Sequence, residues 1–161
     1  MNTLKYLLGT GFYSGLTPKA PGTAGSFVAL LIVFGIVYAQ IHSLLIIFII
    51  SSGLLSLWVA SYFEEEFGKD PQIMVIDEWA GQGLTFAAIS FTGDLLTNVT
   101  LLITGFILFR FFDILKPLGI NKVQKAKGGF GILGDDLLAG LFALICLKTL
   151  IFTWPNLFGM N

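Results

Sequence analysis

The chain has 161 residues, 55% of them hydrophobic and only 12% charged, with a formal net charge of −1 and a mean hydropathy of +0.86. Such a chain cannot stay dispersed in water, and at this length it is a single integral-membrane domain over residues 1–161 with no separate soluble module. The near-neutral charge excludes a nucleic-acid partner, and a lone cysteine, Cys146 inside an apolar run, excludes a disulfide framework or a cysteine zinc site.

The opening stretch, MNTLKYLLGTGFYSGL, carries Lys5 and a few apolar residues, but Gly9, Gly11 and Gly15 interrupt it. It reads as an amphipathic or re-entrant segment on the membrane surface and not as a signal peptide. Apolar stretches then run from Ser26 to Tyr38, Ile41 to Phe63, Val75 to Phe91, Val99 to Leu115 and Leu137 to Trp154. The expected fold is all-α, a small polytopic membrane protein of about five transmembrane or membrane-embedded helices. The first and third stretches fall short of the ~20 residues that a perpendicular span prefers.

Cations near span ends stay on the cytoplasmic side. With five helices, Lys5, Lys19, Lys69, Arg110, Lys116, Lys122, Lys125 and Lys127 share one side, and only Lys148 departs. The opposite connections, around Gln40 to His42 and Thr92 to Asn98, hold no Lys or Arg. The N-terminus is therefore expected in the cytoplasm and the C-terminus outside.

The acids follow the same geometry. Asp77 and Glu78 begin the third helix, Asp113 ends the fourth, and Asp135 and Asp136 begin the fifth, so all converge on the inner face, while Asp94 lies in a short outer connection. A carboxylate near hydrocarbon is costly unless it pairs, faces water or holds a cation, so clustered intramembrane acids mark a functional site. For a single acid pair, a salt bridge to a nearby Lys or Arg is the plainer reading. Three acidic loci on one side favour a cation, and carboxylates without thiols or imidazoles select a hard divalent ion such as Mg²⁺. The only histidine, His42, falls in the outer connection and reads as a solvated loop residue.

Groups suited to a phosphate surround the acids. GTGFYSGLTPKAPGTAGS offers glycines, the hydroxyls of Thr10, Ser14, Thr23 and Ser26, and Lys19, a composition that can turn backbone N–H groups toward an anion. The same glycines could serve only to let backbones pack closely. Arg110 and Asp113 share a helix face, with Lys116 about 9 Å of rise beyond Arg110. Either Arg110 and Asp113 form an ion pair, or Asp113 serves a metal while Arg110 and Lys116 grip phosphate oxygens. In KGGFGILGDD, glycines let the backbone approach a ligand at a helix N-terminus, with an N-cap role for Asp135 as the competitor.

Four elements in order carry a resemblance: TGF-x-SGL-x-P-x-x-PGT-x-GS from Thr10 to Ser26, V-x-DE-x-x-G from Val75 to Gly81, FR-x-FDI-x-KP from Phe109 to Pro117, and GG-x-GI-x-x-DD-x-x-AG from Gly128 to Gly140. From Gly9 to Gly140 the chain resembles the phosphatidylglycerophosphatase A family of bacterial membrane phosphatases. It departs at Leu118-Gly119-Ile120, where a second proline is expected before the isoleucine, and at Leu133-Gly134, where larger apolar residues are usual.

The resemblance implies a multi-pass protein of the bacterial inner membrane that uses Mg²⁺ to hydrolyse the terminal phosphomonoester of phosphatidylglycerol phosphate at the cytoplasmic face. Asp77, Glu78, Asp135 and Asp136, with Asp113 nearby, would be the catalytic acids, the first four holding one or two Mg²⁺ ions. Thr10, Ser14, Lys19, Thr23, Ser26, Arg110 and Lys116 would bind the substrate. A covalent aspartyl phosphate stays open, although the DxDx[TV] pattern is absent. Two other classes place acids in apolar helices. A cation or proton transporter would hold them near the midplane with access from both sides. A CDP-alcohol phosphotransferase would carry a D-G-x-x-A-R…G-x-x-x-D-x-x-x-D signature that this chain lacks.

The sidedness is directly testable. In a Cys146→Ser background, a cysteine at position 122 should react with an impermeant thiol reagent only once the inner face is opened, and a cysteine at position 95 should react from outside. Equal labelling of both from outside would overturn the topology.

Overall fold

The computed structural model describes residues 2–124 and 128–159. It is helical throughout: α1 (Thr3–Gly9), α2 (Pro21–Tyr38), α3 (Ser43–Phe67), α4 (Ile76–Leu84), α5 (Leu95–Leu115), α6 (Ile120–Gln124) and α7 (Gly129–Thr153), with 3₁₀ turns at Ser14–Leu16 and Pro155–Phe158. Among the described residues, α2, α3, α5 and α7 are long and apolar enough to cross a bilayer. The lysines expected at 125 and 127 lie outside the described residues.

Three expected boundaries shift, each for a local reason. The first span begins at Pro21, with proline in the first turn where its missing N–H costs nothing and Ala20 in a left-handed conformation (φ 51°) just before it. The fourth begins at Leu95, because Asp94 Oδ2 accepts the Thr97 N–H at 2.7 Å and caps the helix. The fifth begins at Gly129, so Asp135 and Asp136 lie nearly two turns inside α7. Asp135 is therefore no N-cap, and the helix N-terminus does not open at these acids.

The expected third span is a short helix. Nine residues of α4 rise only about 14 Å, half the hydrocarbon thickness. The chain continues through turns, with the Thr85, Phe86, Ala87 and Ile89 N–H groups bonded to carbonyls three or four residues back. Non-helical backbone survives at membrane depth only inside protein. Thr85, Phe86 and Ile89 of this stretch are buried while Ala88 and Ser90 reach the surface, and α4 is enclosed by α2, α3 and α7.

Glycine sets the closeness of α4 and α7. A Cβ on Gly140 would overlap the Gly81 carbonyl oxygen, and one on Gly81 would press on the Asp136 carbonyl oxygen and the Phe109 ring. Asp77 precedes Gly81 by one turn, and Asp136 precedes Gly140 by one turn. Backbone contact at the two glycines therefore sets one acid from each helix against the same seam.

The N-terminal glycines serve packing in the same way. Gly9 lies against Phe63, Gly15 against the Ile73 carbonyl and Gly25 against Val75, while the Val75 N–H bonds Gly9 O at 2.8 Å. Tyr6 of α1 stacks on Phe63 of α3 at 6.2 Å, so α1 braces the end of α3 that leads to α4. The two departures from the family pattern also connect. Gly119 has φ 91°, which proline cannot adopt, and the turn it makes delivers α6 to α7, where Gly134 leaves room for Val123.

The glycine seam should not tolerate a methyl group. Gly140→Ala is expected to destabilise the protein by about 1–3 kcal/mol, since backbone atoms oppose it and cannot rotate aside. Thermal unfolding in detergent measures this, with Gly35→Ala, where a Cβ meets nothing within 4 Å, as the tolerated control.

Candidate active site

The carboxylate end of the bundle holds an open cavity of about 410 Å³. Its wall takes Ala20 to Thr23 from the start of α2, Asp77 and Glu78 from α4, Arg110 and Asp113 from α5, Lys116 at the α5 C-terminus, and Asp135 and Asp136 from α7. Apart from the exposed Asp70, five carboxylates thus face two cations. Asp77, Asp113, Asp135 and Asp136 are all buried.

One guanidinium nitrogen organises the α2–α4–α5 side. Arg110 Nη1 lies 2.5 Å from Glu78 Oε2 and 2.9 Å from Asp113 Oδ2, and donates to Ser26 Oγ at 3.0 Å. The Ser26 hydroxyl also donates to Glu78. Gly22 makes room for that carboxylate, because a Cβ there would overlap Glu78 Oε1. Arg110 Nε is buried without a partner.

Lys116 holds the opposite side. It pairs with Asp135 and lies 3.7 Å from Asp113 Oδ1, so Asp113 stands between both cations. Burial disfavours the Lys116 ammonium, but the hydrogen bond from Lys116 to Asp135 and the charges of Asp135 and Asp113 outweigh it and raise the pKa above the ordinary lysine value. Lys116 is therefore a fixed positive charge at the cavity wall.

Asp113, Asp135 and Asp136 each offer a carboxylate oxygen within 4.8 Å of the others. Asp77 Oδ1 is buried without a hydrogen-bond partner. Three carboxylate oxygens at chelating separation, an unpartnered oxygen on a fourth carboxylate and three more carboxylates than cations form a donor set that fits a hard divalent cation. Thiols and imidazoles take no part: Cys146 packs against the apolar cluster that includes Phe109 and Ala143, and His42 is exposed at the start of α3.

The expected site residues therefore divide. Asp77, Glu78, Asp113, Asp135, Asp136, Thr23, Arg110 and Lys116 come together around the cavity, and Ser26 joins them through Glu78 and Arg110. Both roles weighed for Arg110 meet in one place, since it is ion-paired with Asp113 and also faces the cavity. Thr10 and Ser14 point elsewhere. Thr10 Oγ1 donates to Tyr6 O at 2.8 Å and Ser14 Oγ to Gly11 O at 2.8 Å, which closes the turn after α1. Lys19 is exposed and is not among the lining residues.

The structure adds Asp70 and Gln124, joined by a 2.7 Å hydrogen bond from Gln124 Nε2 at the cavity edge. Neither sits in a recognisable motif. The one signal for Asp70 is its place in the KDPQ turn before the acidic helix.

The family described as phosphatidylglycerophosphatase A matches residues 7–151. A protein of Bacteroides thetaiotaomicron, named provisionally as a phosphatidylinositol-3-phosphatase, is 36% identical over 89% of this chain and 91% of its own length. The phosphatidylglycerophosphatase A of Haemophilus influenzae is 35% identical over 87% of this chain and 84% of its own. That of Escherichia coli is 30% identical over 93% and 85%. No solved structure matches the chain.

The Arg110 hub should matter for folding as well as chemistry. Arg110→Ala strips the cation from Glu78 and Asp113 and is expected to cost roughly 3–5 kcal/mol, as for a buried pair broken from one side. Adding Glu78→Gln should return part of that loss. Thermal unfolding of the single and double variants decides it, and wild-type stability of Arg110→Ala would overturn the hub.

Proposed function

The chain belongs to the phosphatidylglycerophosphatase A family and is a phosphatase, and on that premise we propose that it hydrolyses the terminal phosphomonoester of phosphatidylglycerol phosphate, with Mg²⁺, at the cytoplasmic face of the membrane. The observation that carries this reading is the grouping of Asp113, Asp135 and Asp136 with Asp77 opposite two fixed cations in one cavity. The Lys and Arg residues placed at that end of the bundle support the cytoplasmic side.

Asp77, Asp113, Asp135 and Asp136 are the residues that would hold the metal. When bound, Mg²⁺ supplies charge neutralisation and polarises the phosphate oxygens. Arg110 and Lys116 bind the phosphate dianion and orient it. The N-terminus of α2, at Pro21 to Thr23, adds positive potential on the same wall. Glu78 keeps Arg110 in place through a direct ion pair and through Ser26. One of the cavity carboxylates accepts the proton of the attacking water as the P–O bond to the lipid alcohol breaks, and the released alkoxide takes up a proton from solvent. The transporter reading loses support because the acids close over a pocket at one end of the bundle and do not line a path through it.

A relative named for phosphatidylinositol 3-phosphate keeps a second head group in view. Phosphate release by purified protein should therefore be compared between phosphatidylglycerol phosphate and phosphatidylinositol 3-phosphate, with Mg²⁺ and with chelator. The glycerol phosphate lipid with Mg²⁺ is expected to win. Asp136→Asn should lower catalytic efficiency about a hundredfold or more, equivalent to roughly 2.7 kcal/mol of barrier. Native turnover and unchanged Mg²⁺ dependence in that variant would remove the acids from the metal site.

A further inference from the structure

We infer that the seam between α2 and α5 receives the distal part of one acyl chain of the lipid whose head group enters the cavity, an inference that rests on the lipid-phosphate reading above. Three observations lie in line along this seam. At the cavity, Arg110 of α5 donates to Ser26 of α2 at 3.0 Å. Next to that bond, Phe27 meets Phe106 edge-on at 6.3 Å. Beyond the aromatic pair the helices part into a groove of about 100 Å³, lined by Leu30, Leu31, Phe34, Val99, Leu102 and Ile103.

The distances suit a chain anchored by its head group. Ile103 and Val99 precede Arg110 on the same helix by about 10 and about 16 Å of rise. The groove therefore sits where the far methylenes of a long chain lie when its phosphate is held beside Arg110, and short chains end before it. Every lining residue is apolar, and Leu31 and Ile103 are 54% and 51% exposed at its rim. Lipid tails are as apolar as leucine, so occupancy gains nothing from the hydrophobic effect and is decided by shape. A groove of this volume admits a polymethylene chain and excludes a helix. The consequence is selectivity for chain length in an enzyme whose chemistry is confined to the head group.

Two measurements test this. The first compares dipalmitoyl with dihexanoyl phosphatidylglycerol phosphate in mixed micelles, using Leu31→Trp and Ile103→Trp to fill the groove. The ratio of kcat/KM for the long over the short substrate should fall about tenfold in these variants, equivalent to about 1.4 kcal/mol. It should hold in Ile47→Trp and Ile145→Trp, which are lipid-exposed on α3 and α7. An unchanged ratio in the groove variants, or an equal fall in the controls, overturns the inference.

The second measurement reads occupancy without turnover. A phosphatidic acid carrying a diazirine in the distal half of one chain should label α2 and α5 at the groove, and unlabelled phosphatidylglycerol phosphate, but not phosphatidylcholine, should compete. Labelling spread evenly over the lipid-facing helices, with phosphate release intact, overturns the groove alone. Competed labelling at the groove without phosphate release from either glycerol phosphate lipid leaves the groove standing and overturns the substrate.

Discussion

Everything at the working end of this protein follows from placing five carboxylates in an apolar bundle with only two cations to meet them. In a low-dielectric setting an uncompensated charge costs several kcal/mol, and each excess carboxylate multiplies the problem. Arg110 and Lys116 relieve part of it, and the way they do so is informative: each touches acids from two different helices. The ion pairs thus tie α4, α5 and α7 together at the cavity while leaving Asp77 and the Asp113, Asp135, Asp136 group with capacity to spare. That surplus is what supports the proposed Mg²⁺ site.

Holding like charges close demands a scaffold that cannot move apart. The Gly81 to Gly140 contact supplies it by bringing two backbones to a separation that side chains would forbid. Because α4 and α7 both carry their acid one turn before the glycine, a single close approach positions two carboxylates at once. The same device recurs at Gly22, which admits the Glu78 carboxylate to α2. In the acidic motifs of this chain the acid is the chemistry and the glycine is the clearance that lets it be used.

The short α4 has a related logic. A full span would bury its polar first turn among lipid-facing helices, whereas nine residues enclosed by α2, α3 and α7 can present Asp77 and Glu78 to an open pocket. The remaining crossing is made by turns whose backbone groups bond locally, which protein burial permits and lipid would not. Gln82, fully buried one turn beyond Glu78 with neither amide atom partnered, marks the polar interior that this arrangement creates.

Much of this was legible in the residues themselves. Composition alone determined a membrane-embedded helical chain, the positions of Lys and Arg determined which acids share an end, and Asp77, Glu78, Asp113, Asp135 and Asp136 were identifiable because charge in an apolar run is too costly to be incidental. Local patterns failed where long-range contacts decide. Val75 to Phe91 reads as a span, yet enclosure by three neighbours lets the helix stop at Leu84. Asp135 and Asp136 read as the opening of a helix, with a cap as the competing role for Asp135, yet α6 packing against Gly134 accompanies a helix that starts at Gly129. The hydroxyls of Thr10 and Ser14 look like phosphate ligands beside those of Thr23 and Ser26, and only tertiary structure separates them, since Thr10, Ser14 and Ser26 each bond a carbonyl three or four residues back and what differs is that Thr23 lines the cavity and Ser26 meets Glu78. Hydropathy and charge are sums over residues and survive as linear signals, whereas the grouping of three carboxylates within chelating distance is a property of helix packing that no spacing along the chain encodes.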